Sequence, residues 1–361
     1  MGNPVGEKMV QLLKKKEMKA ELPQKSPEEY DIKLRPDRVG KYFKKYTKNF
    51  VFDEFSEEFI KRTGMKHMEG VPIPLRKQDL ELFKGGEGLK MNHIAENIAW
   101  IMGIDPKFEH MESYLEFMRR FSNSKIVNGM VKIGRDAAEN KDYDNAAIHF
   151  RAALCIDPTN LHAMYSYARA CRELYLASNN EEYVGRFKAE AIEFFELLTI
   201  IHPRYSLAHY YLGYCYINMG LYIKAKIAWE TFLKMSRHPK DTKEIKNRLR
   251  QLVEPVRIEE GCNAVLSGRY ELGIDVLEPF LNTKYKDWWP MSYYLGVAYR
   301  RLGNNKDAVD SFKRTLGLNP SHVESMEELA EIYAESKDKE NELKYRKKAD
   351  LIRSGGHKEK N

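Results

Sequence analysis

Small and large apolar residues recur along the chain at fixed steps. In the stretch around Leu295-Gly-Val-Ala-Tyr299, Gly296 precedes Ala308 by 12 positions, Ala308 precedes Phe312 by 4, and Phe312 precedes Pro320 by 8. The same ladder returns at Gly213, Ala225 and Trp229, with Leu212 before the glycine and Tyr216 after it. It returns again at Gly134, Ala146, Phe150, Ala153 and Pro158, and in degraded form at Gly261, Gly273, Leu277 and Phe280. These steps suit pairs of antiparallel helices. Small side chains at the glycine and first alanine let two helices approach closely, and the large residue four positions on fills the groove between them. The proline beyond stops the second helix and opens the next unit. The pattern predicts an all-α chain built from helix pairs.

This spacing resembles the tetratricopeptide repeat, a helix–turn–helix unit of about 34 residues with those small and aromatic positions. The resemblance covers about two thirds of the chain and implies a right-handed superhelix, an α-solenoid. Its units begin near Val127, Leu161, Ser206, Glu254, Trp289 and Val323. In the second unit Ala168 takes the glycine place, but Ala191, Phe195, Leu198 and Pro203 arrive 11 residues late. The surplus falls around Ser178-Asn-Asn-Glu-Glu182, so a longer first helix or a looped-out turn is expected there. Residues 240–253 add one helix that parts units one to three (127–239) from units four to six (254–356), with a short tail at 357–361. The last unit keeps Leu329, Ala330, Tyr333 and Ala349 but places Glu342 at the middle small position, as a polar cap does.

Residues 1–126 carry no clean repeat. Within 51–126, Ile94 to Met102 and Met111 to Phe121 read as a helical pair parted at Gly103-Ile-Asp-Pro106. Val71-Pro-Ile-Pro-Leu75 and Gly85-Gly-Glu-Gly88 read as irregular loop. The second lacks the Gly-Lys-Ser/Thr ending and the preceding apolar strand of a phosphate loop. Residues 1–50 hold 13 basic and 7 acidic residues, most of the chain's net charge of +7. Lys14-Lys-Lys16 and Lys41-Tyr-Phe-Lys-Lys-Tyr46 stand out in this arm. It reads as a flexible, solvated segment whose Tyr42, Phe43 and Tyr46 dock onto the body. The other reading is contact with a nucleic-acid backbone or an anionic membrane.

Composition narrows the function classes. Hydrophobic residues make up 43% of the chain, enough to bury a core and to exclude wholesale disorder. No uncharged apolar stretch approaches the ~18 residues that cross a bilayer, and no signal-peptide pattern is visible, so a cytoplasmic protein is expected. A charge of +7 on a chain with 31% charged residues disfavours nucleic acid as a partner. Cys155, Cys171, Cys215 and Cys262 are far apart, which argues against a disulfide framework or a metal site; no metal and no cofactor are expected. The histidines show no metalloprotease spacing, and no Ser, Asp or Lys sits in a nucleophile motif, so no enzyme is expected. Residues 51–126 are the one stretch left open for a catalytic site.

The tyrosine count is high, 22 against 4 Trp and 16 Phe, and the resemblance gives it a place. In the family, set positions of each first helix line the concave side. By position these are Lys132 and Arg135 in unit one, Tyr165, Arg169 and Arg172 in unit two, and Tyr210, Tyr211 and Tyr214 in unit three. Unit five contributes Tyr293, Tyr294, Arg300 and Arg301, and Glu324, Glu327, Glu328 and Glu331 of unit six form an acidic end. Tyr and Arg dominate interface hot spots, because each offers a large contact area with a polar tip. Chaperone-binding members hold a partner's C-terminal carboxylate with Lys, Asn and Arg. The matching positions here include Val131, Ser166, Leu207 and Tyr211, which leaves Arg135 as the one strong donor. The expected function is an adaptor that binds a partner protein or peptide segment in this groove, with the arm free to compete for its acidic end. The other class is a nucleic-acid or membrane accessory acting through the arm. The oligomeric state is not legible.

Overall fold

The computed structural model describes residues 30–77, 80, 91–121 and 125–355; Lys14-Lys-Lys16 and Gly85-Gly-Glu-Gly88 lie outside the described residues. Among the described residues there are 17 α-helices and one two-stranded ribbon. The chain divides into two compact units, one up to Ala208 and one from His209.

The first unit opens with α1 (Gly40–Phe43), a 3-10 turn (Lys44–Asn49), β1 (Phe50–Asp53), α2 (Glu57–Thr63) and β2 (Ile73–Arg76). β1 pairs antiparallel with β2, from Phe50 opposite Arg76 to Asp53 opposite Ile73. The segment Val71 to Leu75 was expected as irregular loop, so this strand is a correction. A two-stranded ribbon consists only of edges, where Pro74 costs no ladder bond if its nitrogen faces away from the partner. Helices α3 (Met91–Ile104) and α4 (Met111–Phe121) form the expected pair, the first longer at both ends than its apolar run. Then come α5 (Lys125–Glu139), α6 (Tyr143–Ile156), α7 (Leu161–Leu176) and α8 (Glu181–Ile201). The surplus of the second pair goes chiefly into its second helix, neither the first helix nor a looped-out turn as expected: α8 is 21 residues long against 14 for α6, while α7 has 16. Asp142, Asn160 and Asn180 cap α6, α7 and α8 by accepting from the backbone N–H three residues on.

The second unit holds the rest of α9 (Ser206–Ile217), then α10 (Tyr222–Met235), α11 (Pro239–Gln251), α12 (Val253–Leu266) and α13 (Tyr270–Leu277). Pro279 ends the last of these in a 3-10 turn, Glu278–Asn282. Helices α14 (Trp289–Arg301), α15 (Asn305–Leu318), α16 (Val323–Glu335) and α17 (Lys339–Gly355) complete it. The helix expected over 240–253 is α11, which is extra to the pairs.

The glycine ladder has a steric cause. A Cβ built on Gly134, Gly261 or Gly296 would lie 2.6, 2.8 and 2.7 Å from Phe150, Leu277 and Phe312, and one on Gly213 would lie closer still to the Trp229 indole. Each large residue comes 16 positions after its glycine and presses on the bare backbone. A second regularity follows. Seven positions after the small residue, the turn takes a left-handed conformation at Lys141, Gly220, Gly268, Gly303 and Lys337, with φ between 61° and 78°.

Candidate functional site

A cleft of about 520 Å³ lies at the expected positions between α5 and α7, the first helices of their pairs. Arg135 of α5 and Tyr165 and Arg169 of α7 line it, with Tyr143 and Phe150 of α6 and Glu173 completing the wall. Arg135 and Arg169 are exposed and Tyr165 is half-buried. The Arg169 guanidinium lies 5.8 Å from the Tyr165 ring centre, and the same ring meets Tyr205 edge-on at 5.2 Å. Lys132 is exposed on α5 but does not line the cleft, and Arg172 pairs with Glu173 at 2.7 Å. Tyr143 and Glu173 were missed by the sequence reading. Tyr143 opens a second helix, and the carried-over positions were all on first helices.

Tyr210 and Tyr214 are placed differently from the open face expected of them. Both donate to the Glu244 carboxylate of α11, Tyr210 at 3.2 Å, and both pack on the cluster around Trp229, Phe232 and Ile245. Arg248 of α11 stands 5.8 Å over the Tyr214 ring. Burial first, then Glu244, raises the Tyr214 hydroxyl above its ordinary pKa. The extra helix therefore packs against these two tyrosines, which are half-buried. Tyr211 is half-buried, edge-on to Tyr210 at 5.1 Å.

In units five and six, Tyr293 and Tyr294 pack edge to edge at 5.3 Å, and Tyr293 leans on His322 at 4.7 Å. Arg300 is spent on a two-pronged pair with Glu335 and a bond to Asn305 at 2.9 Å. Arg301, Glu324 and Glu331 are exposed, and Glu327 pairs with Arg353. Glu328 is half-buried, and burial followed by the charge of Glu331 raises its pKa. Ion pairs thus neutralise part of the acidic end.

The described part of the basic arm is not a solvated tether. Arg35 pairs with Glu193 at 2.5 Å, Arg38 with Glu193 and Glu190, Lys41 with Glu182 at 2.6 Å and Lys45 with Asp144 at 2.9 Å. Tyr42 meets Tyr183 edge-on at 4.8 Å, and Tyr46 donates to Asp144 at 2.6 Å. Asp37 takes both terminal nitrogens of the fully buried Arg151, at 3.0 and 2.7 Å, while Arg151 Nε donates to the Gly103 carbonyl at 2.7 Å. The arm's partners in these contacts lie on α6 and α8, the second helices of their pairs, and none of residues 33–46 lines the α5–α7 cleft. All four cysteines are buried, and burial pushes the Cys155 and Cys262 thiols up to about 12. Among the described residues no helix is long and apolar enough to cross a membrane.

Residues 293–351 match the family model of the tetratricopeptide repeat. No curated protein sequence matches the chain. Among solved structures, 167 chains match. The tetratricopeptide-repeat domain of P58(IPK) is 20% identical over 62% of this chain and 60% of its own length, with a TM-score of 0.39. The chain thus spans less than two thirds of that domain. The MamA protein is 14% identical over 66% of this chain and 98% of its own, with a TM-score of 0.27. YrrB, described as a tetratricopeptide-repeat protein with an unusual peptide-binding site, is 14% identical over 58% and 94%, with a TM-score of 0.30.

Proposed function

We propose that this chain, a tetratricopeptide-repeat protein, is an adaptor that holds a segment of a partner protein in the cleft between α5 and α7. The observation that carries the reading is the meeting of Arg135, Tyr165 and Arg169 on one open concavity of about 520 Å³. A half-buried tyrosine beside two exposed guanidiniums offers flat contact area together with charged donors. That is the make-up of interface hot spots. The chemistry favours a segment with an aromatic or aliphatic residue next to a carboxylate. The reading through the basic arm is weaker for residues 33–46, whose cations are largely engaged with Asp and Glu of the body.

The test is quantitative affinity capture from the native host with the wild-type chain and with Arg135→Glu plus Arg169→Glu. Both positions are exposed, so the fold should survive, as a circular dichroism melt would check. At least one captured protein should be lost from the variant. Capture of every partner at wild-type levels would refute the cleft as the binding site.

A further inference from the structure

Helix α11 has a charged side that the repeat pattern does not account for. At 100° per residue, Lys240, Lys243, Lys246, Asn247 and Arg250 share about one third of its circumference, and all are exposed. The two carboxylates of the helix point elsewhere: Glu244 accepts from Tyr210 and Tyr214, and Asp241 sits 3.1 Å from His238. Among the described residues none of the four cations is in an ion pair, and Arg250 merely donates to Asn247 at 3.2 Å. The stripe runs about 15 Å along the helix. At its C-terminal end a cleft of about 560 Å³ opens between α10, α11, α12 and α13, with Val253, Val256 and Val276 in its lining. Arg250 and Arg257 stand among its lining with Glu230 and Glu260, and Val253 is 66% exposed.

We propose that the α11 stripe and this cleft form a second docking surface, for an acidic protein segment that carries one aliphatic anchor residue. Carboxylates of the segment run along Lys240, Lys243, Lys246 and Arg250, and the anchor enters beside Val253. Charge complementarity selects the occupant, since the stripe offers donors only. The cleft selects protein over other polyanions. Its lining holds no aromatic ring on which a base would stack, and its aliphatic side chains Leu249, Val253, Val256 and Val276 stand beside the charges of Lys226, Arg250, Arg257, Glu230 and Glu260. An anchor pocket beside a cationic stripe suits a peptide with one apolar residue, and a single exposed valine is too little apolar area to seat in a bilayer. The surface shares no residue with the α5–α7 cleft and stands or falls separately from it.

The test exposes the full chain to a random peptide display library, then measures enriched peptides by fluorescence anisotropy. Enriched sequences should place Asp or Glu around a Leu, Ile or Val. Their affinity should fall steeply with salt and drop about tenfold or more in the variant Lys243→Glu, Lys246→Glu, Arg250→Glu. Val253→Ser should weaken these peptides but not versions with serine at the anchor. Arg135→Glu with Arg169→Glu should leave binding intact, which separates this surface from the first cleft. The sites are exposed, and a Lys→Gln, Arg→Gln set guards against misfolding of the charge reversal. Three outcomes overturn the proposal: no acidic enrichment, equal binding by the charge-reversed variant, or tighter binding of a single-stranded oligonucleotide or phosphatidylserine vesicles than of the best peptide.

Discussion

Replacing Asp37 with alanine should cost the first unit much of its stability, although the residue lies in a segment whose sequence reads as a basic tether. The guanidinium of Arg151 is fully buried, and Asp37 supplies the carboxylate opposite it at 2.7 and 3.0 Å. Asp37 also accepts from the Gly40 amide at 2.8 Å, which starts α1. Removing one member of a buried pair leaves an uncompensated charge, a loss of about 3–5 kcal/mol. Because the Asp37 side chain keeps 20% of its exposure, the lower end applies, about 3 kcal/mol. In a unit of this size each kcal/mol shifts the melting temperature by about 2–4 °C, so the expected drop is about 6–12 °C. Thermal denaturation followed by hydrogen exchange in α6 and α8 would measure it. The double variant Asp37→Ala with Arg151→Met removes both charges and should be less destabilised than the two single changes summed, by about 2 kcal/mol. Burial pushes the Asp37 carboxyl up, but the Arg151 bond and charge and the Gly40 and Val39 amides outweigh it and hold its pKa below 3.8. A depressed carboxylate stabilises above its unfolded value and loses that contribution as pH falls through its folded value. The difference between wild type and Asp37→Ala should therefore close only below about pH 3.8. A melting shift under about 2 °C, or strict additivity in the double variant, would refute the buried-pair account.

Two further predictions probe packing and titration. Gly213→Ala should destabilise the second unit by about 3 kcal/mol, the upper end for overpacking, because the new methyl displaces the Trp229 indole. That indole also donates to the Tyr210 carbonyl at 3.0 Å; a melt within 1 °C of wild type, roughly 0.3 kcal/mol, would contradict the close-approach argument. Burial lowers the pKa of His149 beneath 6.5, so its neutral form stabilises the fold above that value and the contribution is lost as pH falls through the lower folded value. His149→Gln should flatten the decline in melting temperature on going from pH 7 toward pH 5. Parallel curves for the two proteins would remove His149 from the account.

The helix pairs were legible because their cause is local. A glycine meets a large residue 16 positions later, and that contact is written into the chain at Gly134, Gly213, Gly261 and Gly296. Even the left-handed turn seven positions on could have been found, had Lys141 and Lys337 been aligned with Gly220, Gly268 and Gly303. What the periodicity could not show depends on contacts far apart in sequence. Asp37 and Arg151 are 114 positions apart, and nothing near either signals the other. Val71 to Leu75 looked like loop because its two prolines argue against a strand, yet the ribbon needs only one paired edge.

The candidate site divides in the same way. Tyr165 and Tyr210 occupy matching kinds of position on first helices, yet one lines an open cleft and the other packs against α11 and bonds its Glu244. The difference comes from an insertion of 13 residues, α11, whose buried Ile245 and inward Glu244 pack against the tyrosines. A repeat register assigns a face to each side chain, but a helix outside the register decides whether that face is open. The same inward turn of Glu244 removes a carboxylate from the outer side of α11 and leaves Lys240, Lys243, Lys246 and Arg250 facing solvent. Closing one tyrosine face and exposing one basic face are therefore consequences of a single packing event.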